Sequence, residues 1–344
     1  MYSVISAYPL TDKFKLEITA ILGASISYFL INELRENGFG CLIKTLFSIR
    51  SERLLIAVED ENSDALLPII SLIAFCTRAK KIEVIDSDSH VTRLSRFNII
   101  ILAWQLFVAS IQCRLALIKA KREVAHFTKK EVEKRVCDSV ENNVLYINAN
   151  LWFGVKAGGS VGHIAGVINA LDKLKHKVHY ATVSGNDLIK DAVNVNLLSP
   201  PSMFGVPSEL NLYRNSQLVT KQIVSIFSGQ KFKFIYQRMS LANYVGVVVA
   251  DYFKVPLILE YNGSEAWIAK NWGRQLKYHD MAIKAELLCL EKADIVVTIS
   301  DVLKAELIQR GIPKEKIVMY PNCIDEEVFN PDRFTKQDCL EVRK

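Results

Sequence analysis

Apolar and polar positions change character twice along the chain, and the changes divide it into three stretches. Up to about residue 140 the pattern is mixed. Gly23 to Leu34 is apolar and helix-length, and it stops at Glu36-Asn37-Gly38, a helix exit. Arg53 to Val58 reads as a buried strand. Asp64 is placed to cap a helix through Leu66, Ile69, Ile70 and Ile73, with Pro68 early enough to sit in the first turn. Lys81 to Ile85 reads as a second strand, and the strand-helix-strand order predicts a small α/β unit.

The second stretch, Phe97 to Cys113, runs for 17 residues without a charge and is rich in Ile, Leu, Trp and Phe. A spanning helix needs about 20 apolar residues, so the run falls slightly short. Asn98, Gln105, Gln112 and Lys119 recur every seven residues, which places them in one stripe of a helix. Continued into Arg114, Lys119, Lys121 and Arg122, such a helix suits a membrane interface with its cations at anionic headgroups. The same run also fits a long core helix with a solvated basic end.

From Asn143 onward, strands of β-branched character alternate with helices. Strands are predicted at Val144 to Asn148, Val178 to Val183, Lys233 to Tyr236, Pro256 to Tyr261, Asp294 to Ile299 and Ile317 to Tyr320. Helices are predicted at Ser160 to Lys175, Leu241 to Phe253, Leu276 to Lys292, and from a Ser300 cap to Arg310, where Gly311 ends the last. Continuous apolar strands separated by helices imply a parallel sheet covered on both faces. The predicted fold class is therefore α/β, a Rossmann-like parallel sheet preceded by a helical and α/β region with a membrane-facing segment.

Charge sharpens the division. The 344 residues carry 43 Lys plus Arg against 37 Asp plus Glu, a net +6. Ten basic and three acidic residues fall between Val91 and Arg135, a local +7, leaving about −1 elsewhere. A near-neutral body with one basic segment is not a nucleic-acid binder. The seven cysteines are scattered without a CxxC pair, which argues against a disulfide framework or a zinc site and for a reducing compartment. Met1 to Asp12 lacks the pattern of a secretory signal, so the expected location is cytoplasmic, peripheral to the inner face of the membrane.

Candidate chemistry gathers where predicted strands end, the edge at which open parallel sheets bind ligands. In the loop from Phe153 to His163, Gly158 and Gly159 remove the Cβ atoms that would hold a backbone away from a phosphate or sugar, and the following helix N-terminus adds positive potential. The spacing is not a GxGxxG fingerprint, and a simple turn uses glycine pairs as well. His163 lies beside them, either functional or merely solvated. Glu260, Asn262 and Glu265 follow another strand and suit sugar hydroxyls or general-base work, or else an acidic surface loop. Arg238 closes a third strand, either as a fork for phosphate or carboxylate or as a structural partner of Glu260.

Together, Ala157-Gly-Gly-Ser-Val-Gly-His163, Tyr236-Gln-Arg-Met-Ser240, Val255-Pro-Leu-Ile-Leu-Glu-Tyr-Asn-Gly263, Ala293-Asp-Ile-Val-Val-Thr-Ile-Ser300 and Tyr320-Pro-Asn-Cys-Ile-Asp325 with Phe329-Asn-Pro331 resemble the N-terminal, acceptor-side domain of glycosyltransferase family 4. The resemblance implies a GT-B architecture and retaining transfer from a nucleotide sugar, without a bound metal or other cofactor. It places Gly158 and Gly159 near the donor phosphates. It sets His163 and Glu260 as the catalytic candidates and Arg238, Asn262 and Glu265 as substrate-binding ones. Where the family frequently has Pro-Asn-Gly, this chain has Cys323, so a left-handed turn there is expected to be strained. The chain also ends shortly after the inter-domain linker would begin.

The expected organisation is a membrane-contacting region at 1–140, a Rossmann-like domain at 141–332 and a tail at 333–344. The function that follows is the acceptor-binding half of a membrane-associated glycosyltransferase of cell-envelope polysaccharide. Its partners are a nucleotide-sugar donor, a glycan or lipid-linked acceptor, the membrane surface and a donor-domain subunit, with no nucleic acid. The alternative is a non-catalytic glycan- or lipid-binding scaffold.

Overall fold

The computed structural model describes the chain except residues 1, 24, 37–38, 96, 132–134, 136–141, 152–157, 274, 323–329 and 343–344. The turn at Cys323 and most of the loop before Gly158 lie outside the described residues. The chain forms two compact units. One comprises Met1–Phe127, Leu151–Gly154 and Ser199–Lys221, the other Thr128–Asn150, Val155–Leu198 and Gln222–Lys344. The chain leaves the first unit after Phe127, and residues 199–221 return to it.

The first unit holds a five-stranded sheet: β1 (Tyr2–Ser6), β2 (Ile26–Leu30), β3 (Arg53–Ala57), β4 (Lys81–Ile85) and β5 (Val91–Arg93), in the order β2-β1-β3-β4-β5. All neighbours are parallel except β4 and β5. Four shorter helices accompany it: α1 (Asp12–Leu22), α2 (Ile31–Glu36), α3 (Phe39–Ser48) and α4 (Leu67–Phe75). Strand alternation sorts the core onto two faces. Ile5, Leu54 and Ile56 pack with Leu42, Leu46 and Ile70, whereas Val4, Leu55 and Ala57 pack with Phe14 and Ile18. The helix expected from Gly23 to Leu34 is instead β2 followed by α2. Gly23 caps α1 with φ 85°, Ser25 has φ 73°, and the chain leaves these turns extended, so Ile26–Leu30 pairs in register with β1.

The long helix α5 (Asn98–Lys129) has an inverted distribution of side-chain size. Its buried face is mostly small residues, Ala109, Ser110, Cys113, Ala116 and Ala120, with Leu117 and Val124 beside them. Cys113 Sγ donates to Asn211 Oδ1 at 3.0 Å, Gln217 Nε2 donates to the Ala116 carbonyl, and Ser110 Oγ accepts the Val206 amide. Gly205 is required at this seam, because a Cβ there would stand 2.7 Å from the Ala109 backbone. The opposite face exposes Phe97, Ile100, Trp104, Phe107, Ile111 and Leu115. The recurring Asn98, Gln105, Gln112 and Lys119 run along the flank between the two faces, because a seven-residue step drifts about 20° per repeat on a straight helix.

The second unit is a doubly wound sheet of seven parallel strands, β6 (Asn143–Asn148), β7 (Lys177–Thr182), β8 (Asn194–Leu197), β9 (Phe234–Arg238), β10 (Leu257–Tyr261), β11 (Ile295–Thr298) and β12 (Ile317–Met319), in the order β12-β11-β10-β9-β6-β7-β8. The helices are α6 (Gly159–Lys173), α7 (Leu210–Ile226, shared between the units), α8 (Val245–Phe253), α9 (Glu265–Asn271), α10 (His279–Lys292) and α11 (Asp301–Gln309), followed by α12 (Lys336–Val342). Strand order reverses between β6 and β9, the switch point at which such sheets form a crevice beyond their carboxyl ends. Ser300 caps α11 by accepting the Leu303 amide, as expected from the sequence.

Candidate functional site

The site grows from two layers of in-register side chains on one face of the sheet. Tyr180, Tyr146 and Tyr236 are register partners across β7, β6 and β9. Tyr146 stacks on Tyr236 at 5.1 Å between ring centroids and meets Tyr180 edge-on at 5.7 Å. Two residues further along, Thr182, Asn148, Arg238 and Glu260 occupy the same face at the carboxyl ends of their strands. The aromatic layer forms a dry floor beneath a polar layer. Burial raises the phenols of Tyr146 and Tyr236 well above their ordinary range, and the charge on Glu260 adds to the effect, so both stay neutral.

Glu260 is the centre of the polar layer, its side chain 1% exposed. Arg238, its register partner on β9, donates from Nη1 to Glu260 Oε1. Asn262 Nδ2 donates to the same oxygen at 2.7 Å, and the Tyr236 hydroxyl donates to Oε2 at 3.2 Å. His163 Nε2 lies 3.0 Å from Oε1 as an ion-pair contact, without the in-line geometry of a hydrogen bond. Burial opposes ionisation of Glu260, but the His163 and Arg238 contacts outweigh it and hold the carboxyl below its ordinary value. The structural pairing left open by the sequence, Arg238 with Glu260, is made.

The remaining candidates surround this cluster. Arg238 Nη2 reaches Ser160 Oγ at 3.4 Å, which ties the guanidinium to the first turn of α6. Gly158 stands at the N-cap of α6 with φ 124°, and Gly159 is the first helical residue with open space at its Cβ position. Glu265, in the first turn of α9, accepts no hydrogen bond among the described residues. Burial raises its pKa, with Glu286 adding to the rise and Arg238 opposing it. Of the sequence candidates, His163, Arg238 and Asn262 therefore each contact Glu260, and the glycine pair is tied to them through Ser160. Among the described residues, no three His, Cys, Asp or Glu side chains group as a metal site.

The sequence reading missed Tyr236, Tyr146 and Asn148, although the i, i+2 pairs Tyr146/Asn148 and Tyr236/Arg238 carry the signal of a shared strand face. It also missed a second cluster behind β10. There Arg310 Nη2 donates to Glu286 Oε1 at 2.8 Å and Arg310 Nη1 donates to the Tyr261 hydroxyl at 2.7 Å, while Ser264 Oγ donates to Glu286 Oε2 at 3.0 Å.

Residues 157–328, half of the chain, match the sequence pattern of glycosyltransferase family 4. No curated protein matches the chain. Among solved structures, a sucrose-phosphate synthase from Thermosynechococcus elongatus is similar at 13% identity over 58% of this chain and 94% of that one, with a TM-score of 0.35. HepE from Anabaena, in complex with UDP-glucose, is 13% identical over 58% of this chain and 48% of its own, with a TM-score of 0.37. The catalytic domain of starch synthase IV from Arabidopsis thaliana, bound to ADP and acarbose, is 14% identical over 55% and 52%, with a TM-score of 0.38. The chain thus spans about half the length of the HepE and starch synthase chains. By this match over half of its residues, the chain belongs to glycosyltransferase family 4.

Proposed function

We propose that the second unit binds the acceptor in retaining transfer of a sugar from a nucleotide sugar to a glycan or lipid-linked acceptor. The observation that carries this is the convergence of Arg238, His163, Glu260 and Asn262 at the carboxyl edge of the sheet, next to the amino end of α6. A helix N-terminus and a glycine pair without Cβ atoms suit the approach of donor phosphates. Glu260 already receives four neighbours, so its role is to position Arg238 and His163. Glu265, half-buried and without a donor of its own, is the carboxylate placed to accept a hydrogen bond from the acceptor hydroxyl.

The nucleotide itself is held by a donor domain of the kind family members pair with this one. The first unit is a poor substitute. Its β1/β3 switch point is filled by its own bonds, with the Thr11 amide and hydroxyl on Glu59 and the Tyr8 hydroxyl on Ser63. Glu59 and Asp60 at that edge would repel a diphosphate.

The outward face of α5 rests on the membrane surface. By length and composition the helix is apolar enough to cross a bilayer. Its small-residue face is hydrogen-bonded to Asn211 and Gln217, which favours a helix lying in the interface over one that spans.

The test is a transfer assay with radiolabelled nucleotide sugars and envelope glycolipids, with and without a donor-domain protein. Labelling that requires this chain and falls in a Glu265→Gln variant that remains folded supports the reading. Glycan binding without transfer under every condition favours the non-catalytic scaffold.

A further inference from the structure

A cavity of about 620 Å³ opens between α9, α10 and α11, beside the polar layer but separate from it. Its lining combines two kinds of surface. Trp267 and Trp272 form one wall, with ring centroids 5.2 Å apart and edge to face at 78°. They are 50% and 79% exposed, a large apolar area to leave in water. Asn262 supplies the link to the cluster around Glu260. Its Nδ2 is committed to Glu260, and its Oδ1 is buried without a hydrogen-bond partner among the described residues.

The wall is held by a rigid support. Ser264 caps α9 by accepting the Trp267 amide, and its hydroxyl is fixed on Glu286. The Trp272 amide closes the other end of the helix on the Ile268 carbonyl at 2.9 Å. Glu286 and Arg310 neutralise each other in the lining. Lys270 and Glu306 carry the remaining formal charges there, one of each sign. The cavity therefore presents an aromatic wall and no net formal charge.

We infer that this cavity is a subsite for a neutral hexopyranose ring of the acceptor. A pyranose has an apolar face of C–H groups that stacks on the electron-rich face of an indole, and a rim of hydroxyls that bonds to polar groups such as those of Glu306 and His279 in the lining. A uronic acid would bring a net negative charge into a lining whose formal charges sum to zero. Volume and composition match small-molecule sites, which are mostly apolar with a few placed polar groups. The inference rests on reading the carboxyl edge of this sheet as the acceptor side.

Saturation-transfer NMR on the full chain tests it, with methyl glucopyranoside, methyl galactopyranoside and N-acetylglucosamine against glucuronate and UMP. At least one neutral sugar is expected to receive saturation on its ring C–H protons. Trp272→Ala is expected to weaken that sugar at least tenfold, and Trp272→Phe by less than threefold. Trp272 is mostly exposed, so neither variant threatens the fold, and thermal melting confirms this. Binding of UMP or glucuronate but no neutral sugar overturns the inference, as does sugar binding unchanged in Trp272→Ala. The two readings fail separately. Transfer with an acceptor KM unaffected by Trp272→Ala removes the subsite and keeps the transferase. Sugar binding that depends on Trp272, without transfer, removes the transferase and keeps the subsite.

Discussion

Arg238 and Glu260 are register partners on adjacent parallel strands, and the guanidinium bonds a carboxylate that is almost wholly buried. Removing one member of such a pair leaves an uncompensated buried charge, a loss of about 3–5 kcal/mol. Arg238→Ala is therefore expected to destabilise the second unit by that amount in urea unfolding. Arg238→Met combined with Glu260→Leu should cost less than the two single changes added. A loss below about 1 kcal/mol in Arg238→Ala would show that His163, Asn262 and Tyr236 suffice without the guanidinium.

The same pair sets a dependence on pH. Glu260 has its folded pKa lowered from an ordinary value of 4.5, so its contribution is complete above that value and disappears as pH falls through the folded value. Urea midpoints measured from pH 7 to pH 3 should show wild type above Glu260→Gln at neutral pH. The two should converge below about pH 4.5. A gap that stays constant to pH 3 would mean that the ionised carboxylate is not what stabilises the cluster.

Glu265 works in the opposite sense. Its folded pKa is raised by burial, so its ionised form costs stability as pH rises through that value. Glu265→Gln is expected to stabilise the fold at pH 7 by up to about 1 kcal/mol. The same change should lower transfer about 10²–10⁴-fold if the carboxylate takes the acceptor proton. Calorimetry and the transfer assay read the two effects independently. Activity within twofold of wild type would remove Glu265 from the site.

How much of this was legible in the chain depends on the kind of signal each element carries. Val144–Asn148 and Pro256–Tyr261 announce themselves because strands buried on both faces are continuous apolar runs. Asn194–Leu197 does not, since β8 is an exposed edge strand of alternating Asn residues. The apolar run at Gly23 to Leu34 misled because burial requires apolar residues in helix and strand alike, and the positive-φ turns at Gly23 and Ser25 break the helix. Arg238 and Glu260 were visible as strand ends. Their contact was not, because it is set by sheet register across 22 residues of sequence. Trp267 and Trp272 are five apart, a spacing that marks no helical face, and they meet because α9 ends between them.

The glycine pair separates backbone need from ligand need. Gly158 has φ 124°, a conformation that L side chains avoid, so Gly158→Ala is expected to cost about 1 kcal/mol or more. Gly159 has ordinary helical geometry with open space around its Cβ position, so Gly159→Ala should be neutral or stabilising by up to about 1 kcal/mol. If Gly159→Ala keeps its melting temperature and loses transfer more than tenfold, the empty volume serves a substrate. Unchanged transfer would make Gly159 a helix start and nothing more.

The outward face of α5 gives the last expectation. Trp104, Phe107 and Ile111 are exposed on the face opposite the small residues that bond to the segment at 199–221. Burying such a side chain contributes about 1.5–3 kcal/mol, and each nearby Lys or Arg about 1 kcal/mol at an anionic surface. Ile111→Glu forfeits the first term and places an acid at the headgroups, so binding to vesicles containing phosphatidylserine should fall more than tenfold in flotation. Replacing Lys121 and Arg122 with Gln should weaken binding to anionic vesicles and leave neutral ones unaffected. Point substitutions are the right probes, because deleting the region before residue 137 would also remove Cys113 and Ala116, which bond to Asn211 and Gln217. Wild-type protein that fails to float and instead forms dimers disrupted by Ile111→Glu would assign this face to a second copy of the chain.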